Sequence, residues 1–289
     1  MNSLLRPAKM LAGTILLAFA CSQLLCCALR QPPAPDRTQP SAREAWNAFW
    51  GSQNASQAWS GYSLKASLNL FTPEESRRIT LDLWGNYGLP LRIDLHAGLG
   101  TTFAMWRVDP EGLLAYYPRE HRAFVHRDSI RAAARLGLNI PFSVQEIARI
   151  LTGRWQGIIP RTYSRAEQLE EAGWSYNFSG EPAVNRLILD RRGRIVRLEG
   201  QAPYEWSLTC KGYEAFNGHD RGQHLVLRTE RNERSVLRIK ALELRKKPWP
   251  ASALQIELPP NTMLVPLERT SSEGRPAGIY PANDDPETA

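Results

Sequence analysis

Catalytic and metal sites are built from histidine, acidic, serine and cysteine side chains, and this chain of 289 residues spends few of them in clusters. His219, Asp220 and His224 have the ligand types a metal needs, but the stretch from Gly218 to Gly222 reads as a solvated loop. His121 and His126, with Glu120 and Asp128 nearby, have the types for proton transfer. They flank a predicted strand and read better as surface groups. Gly173-Trp-Ser-Tyr-Asn177 approaches the Gly-x-Ser-x-Gly turn of hydrolases, yet it ends in Asn and lies in a strand-like run. Arg245-Lys246-Lys247 beside Trp249 combines charge and ring as a nucleic-acid contact would, and as a membrane-surface cluster would. The sequence holds no Gly-x-x-x-x-Gly-Lys loop and no His-Glu-x-x-His. The expectation is a protein that is not an enzyme, with no cofactor, no metal and no nucleic-acid partner.

The other chemistry lies at the start. Met10 to Leu29 is an apolar run preceded by Arg6 and Lys9, the pattern of an export leader. Three of the four cysteines, Cys21, Cys26 and Cys27, fall at or within its end. This arrangement resembles a bacterial lipoprotein signal, in which the processed N-terminal cysteine carries lipid. Cys27, with Leu24 upstream, is the favoured site, and Cys21, with Ala20 before it, is the alternative. An uncleaved anchor is the competing reading, since the run approaches the roughly 20 apolar residues that span a bilayer. The expected layout is a leader over 1–26, a proline-rich tether over 27–43, one folded domain over 44–267 and a disordered tail over 268–289. Cys210 is then the lone thiol of the body, so stability must come from packing. Hydrophobic residues make up 43% of the chain, enough for a core. The net charge of +7 falls by two without Arg6 and Lys9, and the remainder suits an anionic membrane surface.

Alternation dominates what must position any site. Leu64, Ala66, Leu68 and Leu70 recur at every second place, as do Ile79, Leu81 and Leu83, then Leu89, Leu91, Ile93 and Leu95. Each series predicts a half-buried strand. Thr102 to Val108, with Phe103 and Met105 inward, is a fourth strand, and Leu113 to Tyr117 and His121 to His126 complete a meander. The period then becomes helical from Asp128 to Leu138 and again from Ser143, where Glu146 completes a capping box and Gly153 supplies a stop. Strands resume from Gly173, ending with Leu254 to Leu258. In the long strand from Ser235 the apolar phase slips between Ile239 and Leu242, which predicts a bulge. A short helix from Glu44 to Trp59 precedes the whole. The expectation is a mainly β (α+β) fold: a single curved antiparallel half-barrel of about 11–13 strands, with two helices forming a lid over an apolar cavity. Leu64, Leu68, Leu81, Leu83, Leu91, Ile93, Phe103, Met105, Ile147 and Leu151 are the expected cavity residues, with tryptophans such as Trp106 and Trp206 filling the core.

This order of elements resembles the LolA/LolB-like superfamily of lipoprotein carriers and receptors over about Trp46 to Leu267. The most specific stretches are Leu136-Gly-Leu-Asn-Ile-Pro141, followed by the Ser143 helix and Thr152-Gly153, and Leu95-His-Ala-Gly-Leu-Gly100. The resemblance implies binding of lipoprotein acyl chains or lipid, contact with a periplasmic carrier, and outer-membrane placement, since Ala28 rather than Asp follows Cys27. It also implies that Leu99, in the turn after the third strand, passes the cargo into the membrane. The alternative function is a structural or sensing envelope lipoprotein that uses the same fold to hold a protein partner.

Overall fold

Side chains two apart on a strand share a face, so the aliphatic alternation of the sequence commits each strand to one buried side. In the computed structural model, which describes residues 40–55, 58–73, 75–98, 100–138, 140–170, 173–180, 183–216 and 219–267, these strands join one large curved sheet. Its order is β14-β6-β5-β4-β3-β2-β1-β13-β12-β11-β10-β9-β8-β7, and it does not close. The strands are β1 (Gly61–Phe71), β2 (Ser76–Asn86), β3 (Leu91–Ala97), β4 (Thr101–Asp109), β5 (Gly112–Tyr117), β6 (Arg122–His126), β7 (Arg165–Leu169), β8 (Gly173–Asn177), β9 (Arg186–Leu189), β10 (Ile195–Gly200), β11 (Trp206–Phe216), β12 (His219–Thr229), β13 (Arg234–Arg245) and β14 (Met263–Pro266). Every pairing is antiparallel except β14 on β6. The sheet is thus a larger open surface than the expected half-barrel of about 11–13 strands. A seam between β1 and β13, with Gly61 opposite Arg245 and Leu68 opposite Leu237, joins the two meanders.

Two bulges bend the strands that matter here. On β13 the register passes from Ala241 opposite Lys65 to Ile239 opposite Ala66, so Lys240 is the extra residue. It reconciles the inward phase of Leu237 and Ile239 with that of Leu242 and Leu244, as the sequence predicts. On β4 the register passes from Ala104 opposite Leu95 to Thr102 opposite His96, which leaves Phe103 as the extra residue. Phe103 and its neighbour Ala104 are both buried in consequence.

Among the described residues, three α-helices accompany the sheet: α1 (Ala42–Ala55), α2 (Ser129–Arg135) and α3 (Val144–Leu151). Helix α1 starts two residues before the expected Glu44, because Ser41 and Glu44 form a capping box: the Ser41 amide donates to the Glu44 carboxylate at 2.7 Å and the Glu44 amide to Ser41 Oγ at 3.3 Å. Its Trp46 packs on Tyr163 and Tyr176, with ring centroids 5.1 and 4.9 Å away. The predicted strand Leu254 to Leu258 is not one. Trp249 to Gln255 instead crosses the far face of the sheet, where the Trp84 indole donates to Ala253 O at 3.0 Å and the Trp249 indole to Tyr62 O at 2.9 Å. No helix among the described residues is long and apolar enough to cross a membrane. Cys21, Cys27, Leu99 and the tail from Glu268 lie outside the described residues.

Candidate functional site

An apolar cavity of about 120 Å³ lies between the centre of the sheet and the α2–α3 segment. Seven neighbouring strands supply its wall. Leu68 comes from β1, Ile79, Leu81 and Leu83 from β2, Ile93 and Leu95 from β3, and Trp106 from β4; Leu237 of β13, Leu225 and Leu227 of β12 and Leu208 of β11 continue it past the seam. Ser235 is the sole polar residue of the lining. With hydrocarbon on nearly every side, the site can offer dispersion and exclusion of water.

The cover is made by Leu138, Ile140 and Phe142 of the α2–α3 connection and by Ile147, Ile150 and Leu151 of α3. Local rules fix both helices. Asp128 caps α2, its carboxylate accepting from the amides of Ile130 and Arg131 at 2.9 and 3.0 Å. Those bonds hold its pKa below the ordinary carboxylate value. Ser143 caps α3, accepting from the Glu146 amide at 3.1 Å while its own amide donates to the Glu146 carboxylate at 2.8 Å. Both helices end in a Schellman motif. The Leu138 and Gly137 amides donate to Ala133 O and Ala134 O, and the Arg154 and Gly153 amides to Arg149 O and Ile150 O. The left-handed φ at Gly137 and Gly153, 88° and 76°, is what such an ending requires of its glycine.

Several contacts tie this cover down, three of them to the sheet and to α1. The Phe142 ring meets Trp206 edge-on at 4.8 Å. Gln145 Nε2 donates to Tyr87 O at 3.3 Å, in the turn after β2. Past α3, the buried amide of Trp155 donates to Gln53 Oε1 of α1 at 2.8 Å. The cover is therefore a short helical hairpin held at its flanks, with only side-chain packing across its middle.

No family model and no curated protein sequence matches this chain. Solved structures do. A LolA superfamily protein from Nitrosomonas europaea superposes with a TM-score of 0.55 at 11% identity, over 73% of this chain and 97% of that one. A DUF1329 family protein from Desulfovibrio piger gives 0.50 at 11% identity, over 74% and 98%. The fold is LolA/LolB-like.

Within this LolA/LolB-like sheet the predicted residues separate into three groups. Leu68, Leu81, Leu83, Ile93, Ile147 and Leu151 line the cavity together. Leu64, Leu91 and Phe103 are buried in the core without lining it. Met105 faces the other way, its sulfur 3.4 Å from Arg92 Nη2, because the bulge at Phe103 inverts the phase of the strand beyond it. Among the wall residues outside the expected set, Ile79, Leu95 and Trp106 belong to the first meander, and Leu208, Leu225, Leu227 and Leu237 to the second. The alternation of the latter was legible, but the seam that carries them to the first meander was not.

The candidate chemical residues are dispersed. Ser175 is buried inside β8, its Oγ accepting from Arg186 Nε at 2.8 Å. Asp220 pairs with Arg194 at 3.3 Å, and the supposed loop around it is strand β12. His126 Nδ1 accepts from the Asp128 amide at 2.9 Å. Arg245 and Lys246 stack over Trp249 and Trp59 of the same chain, at 3.7 and 6.0 Å.

Proposed function

We propose that this is an envelope protein that binds acyl chains of lipoproteins or lipids under the α2–α3 cover and aids their placement in the outer membrane, without covalent chemistry. One observation carries the reading: a cavity walled by apolar side chains from seven strands and closed by a capped helical hairpin. The fold supports it through the carrier function that the LolA/LolB resemblance implies. Cys27, or Cys21, would hold the protein to the membrane through lipid, with 27–43 as tether, and Leu99 would pass the cargo on.

Volume decides how binding must proceed. At about 120 Å³ the cavity equals about four water volumes of roughly 30 Å³ each, so a whole acyl chain enters only if the cover moves. Each aliphatic side chain that leaves the wall costs about 1.5–3 kcal/mol. A chain methylene that replaces it returns about 0.8 kcal/mol, so two to four methylenes offset one displaced side chain. The hairpin can open at little net cost once a chain is present. The same small volume favours the second reading, a sensing or structural lipoprotein that keeps its interior packed and binds a protein partner elsewhere.

Mass spectrometry of the protein extracted from its native membrane separates these. A lipidated N-terminal peptide beginning at Cys27, with a further acyl species released on denaturation, is the expected result. A lipidated but empty protein selects the partner-binding reading, and an unprocessed N-terminus removes the lipid anchor from both.

A further inference from the structure

A second cleft, of about 320 Å³, opens beside the C-terminal end of α3, between α1 and strands β10 to β12. It differs from the apolar cavity in kind. Ser52 and Gln53 of α1, Tyr213 of β11, Arg221 of β12 and the neighbouring Arg192 and Arg194 line it. It also shares Ile150 and Leu225 with the apolar cavity, so the two spaces meet across these two side chains.

Arg221 is the anomaly within it. The residue is only 8% exposed, yet its Nε and Nη1 have no hydrogen-bond partner among the described residues. Its guanidinium lies 4.6 Å from the Phe216 ring centroid, which offers a π face and no acceptor. The carboxylate nearest in sequence, Asp220, is taken by Arg194 at 3.3 Å, and Arg194 is itself held by Asp190 at 2.7 Å. Glu214 stands opposite Arg221 on β11 but is exposed. Burial pulls the Arg221 pKa down from its ordinary value. A buried guanidinium with unmet donors is costly, and each such group in a folded protein calls for a reason. Arginine is also the side chain best matched to carboxylate and phosphate oxygens.

We propose that this cleft is an oxyanion site, in which Arg221 binds the carboxylate or phosphate head of a single-chain amphiphile whose tail enters the apolar cavity past Ile150 and Leu225. The tail half of this assignment rests on the acyl-chain reading above; the anion half rests on Arg221 alone. The site would read the head of the cargo while the cavity reads its chain.

Calorimetric titration of the purified full chain with dodecyl phosphate, 1-dodecanol and inorganic phosphate tests both halves. Dodecyl phosphate should bind at least about tenfold more tightly than 1-dodecanol, and inorganic phosphate far more weakly than dodecyl phosphate. Arg221→Met should abolish the preference for the charged head and leave dodecanol affinity within about twofold. It should also raise the melting temperature of the ligand-free protein by a few degrees, because it removes a buried guanidinium whose Nε and Nη1 lack hydrogen-bond partners. Arg221→Lys, which keeps the charge, should retain part of the preference. Equal binding of the two dodecyl ligands overturns the oxyanion site and leaves acyl-chain binding intact. A preference that survives Arg221→Met overturns it also, as does a fall in melting temperature in that variant, which would mark the arginine as structural. If inorganic phosphate binds through Arg221 and neither dodecyl ligand binds, the amphiphile assignment and the acyl-chain reading both fall, and a free anion is the ligand.

Discussion

At the scale of single residues, Cys210 of β11 and Arg221 of β12 line the same cleft and illustrate opposite uses of burial. Cys210 is buried, and desolvation pushes its thiol up to about 12. The folded protein therefore keeps that proton while the unfolded chain, with an ordinary thiol near 9, releases it as pH rises. The contribution to stability is present below about pH 9 and declines between there and about 12, by about 1.4 kcal/mol per pH unit. Because the reactive species is the thiolate, a thiol reagent at pH 8 should leave Cys210 of the native protein unlabelled and label it fully in denaturant. Fast labelling of Cys210 in the native protein would contradict this burial. The sequence made Cys210 legible as a lone structural thiol. It could not single out Arg221, one of many arginines, because Gly218, Asp220 and Gly222 disguise its strand as a loop. The long pairing of β11 with β12, from Trp206 opposite Thr229 to Phe216 opposite His219, overrides that local preference.

At the scale of elements, the strongest sequence signals were those with a local mechanism. The Ser143–Glu146 box and Gly153 marked both ends of α3, and the slip between Ile239 and Leu242 marked the bulge at Lys240. The Ser41–Glu44 box was equally readable but lay in a stretch that its prolines made look like tether. Strands β7 and β14 were missed for a physical reason. Arg165–Leu169 has no buried residue, and Met263 and Leu264 of β14 are each 60% exposed. Edge strands of this kind are fixed by backbone pairing and leave no apolar alternation to find. The capping box gives a direct test of the cover. Ser143→Ala should cost about 1 kcal/mol and speed hydrogen exchange of the α3 amides, while amides of β2 and β3 stay protected. Faster exchange in the sheet as well would mean that the hairpin does not open as a unit.

At the scale of the molecule, two meanders converge on one cavity, and Cys27 and Leu99, the residues proposed to meet the membrane, lie outside the described residues. Cys27→Ala should move the protein from the membrane to the soluble fraction, with Cys21→Ala doing so instead if the alternative site is used. Leu99→Glu should bind acyl probes like the natural protein and fail to deliver them to vesicles; loss of binding in that variant would place Leu99 in the cargo site rather than at its exit. The topology carries one further consequence. The wall is begun by β1 to β4 and finished by β11 to β13, and the two parts meet along the seam of β1 and β13, from Gly61 opposite Arg245 to Phe71 opposite Arg234. Such a distant contact is slow to form. Until β13 has emerged, β1 waits with a bare edge and the first half of the wall stands uncovered, the state that chaperones shield and proteases remove. A chain truncated before Arg234 is thus not a smaller binder but a degradation substrate.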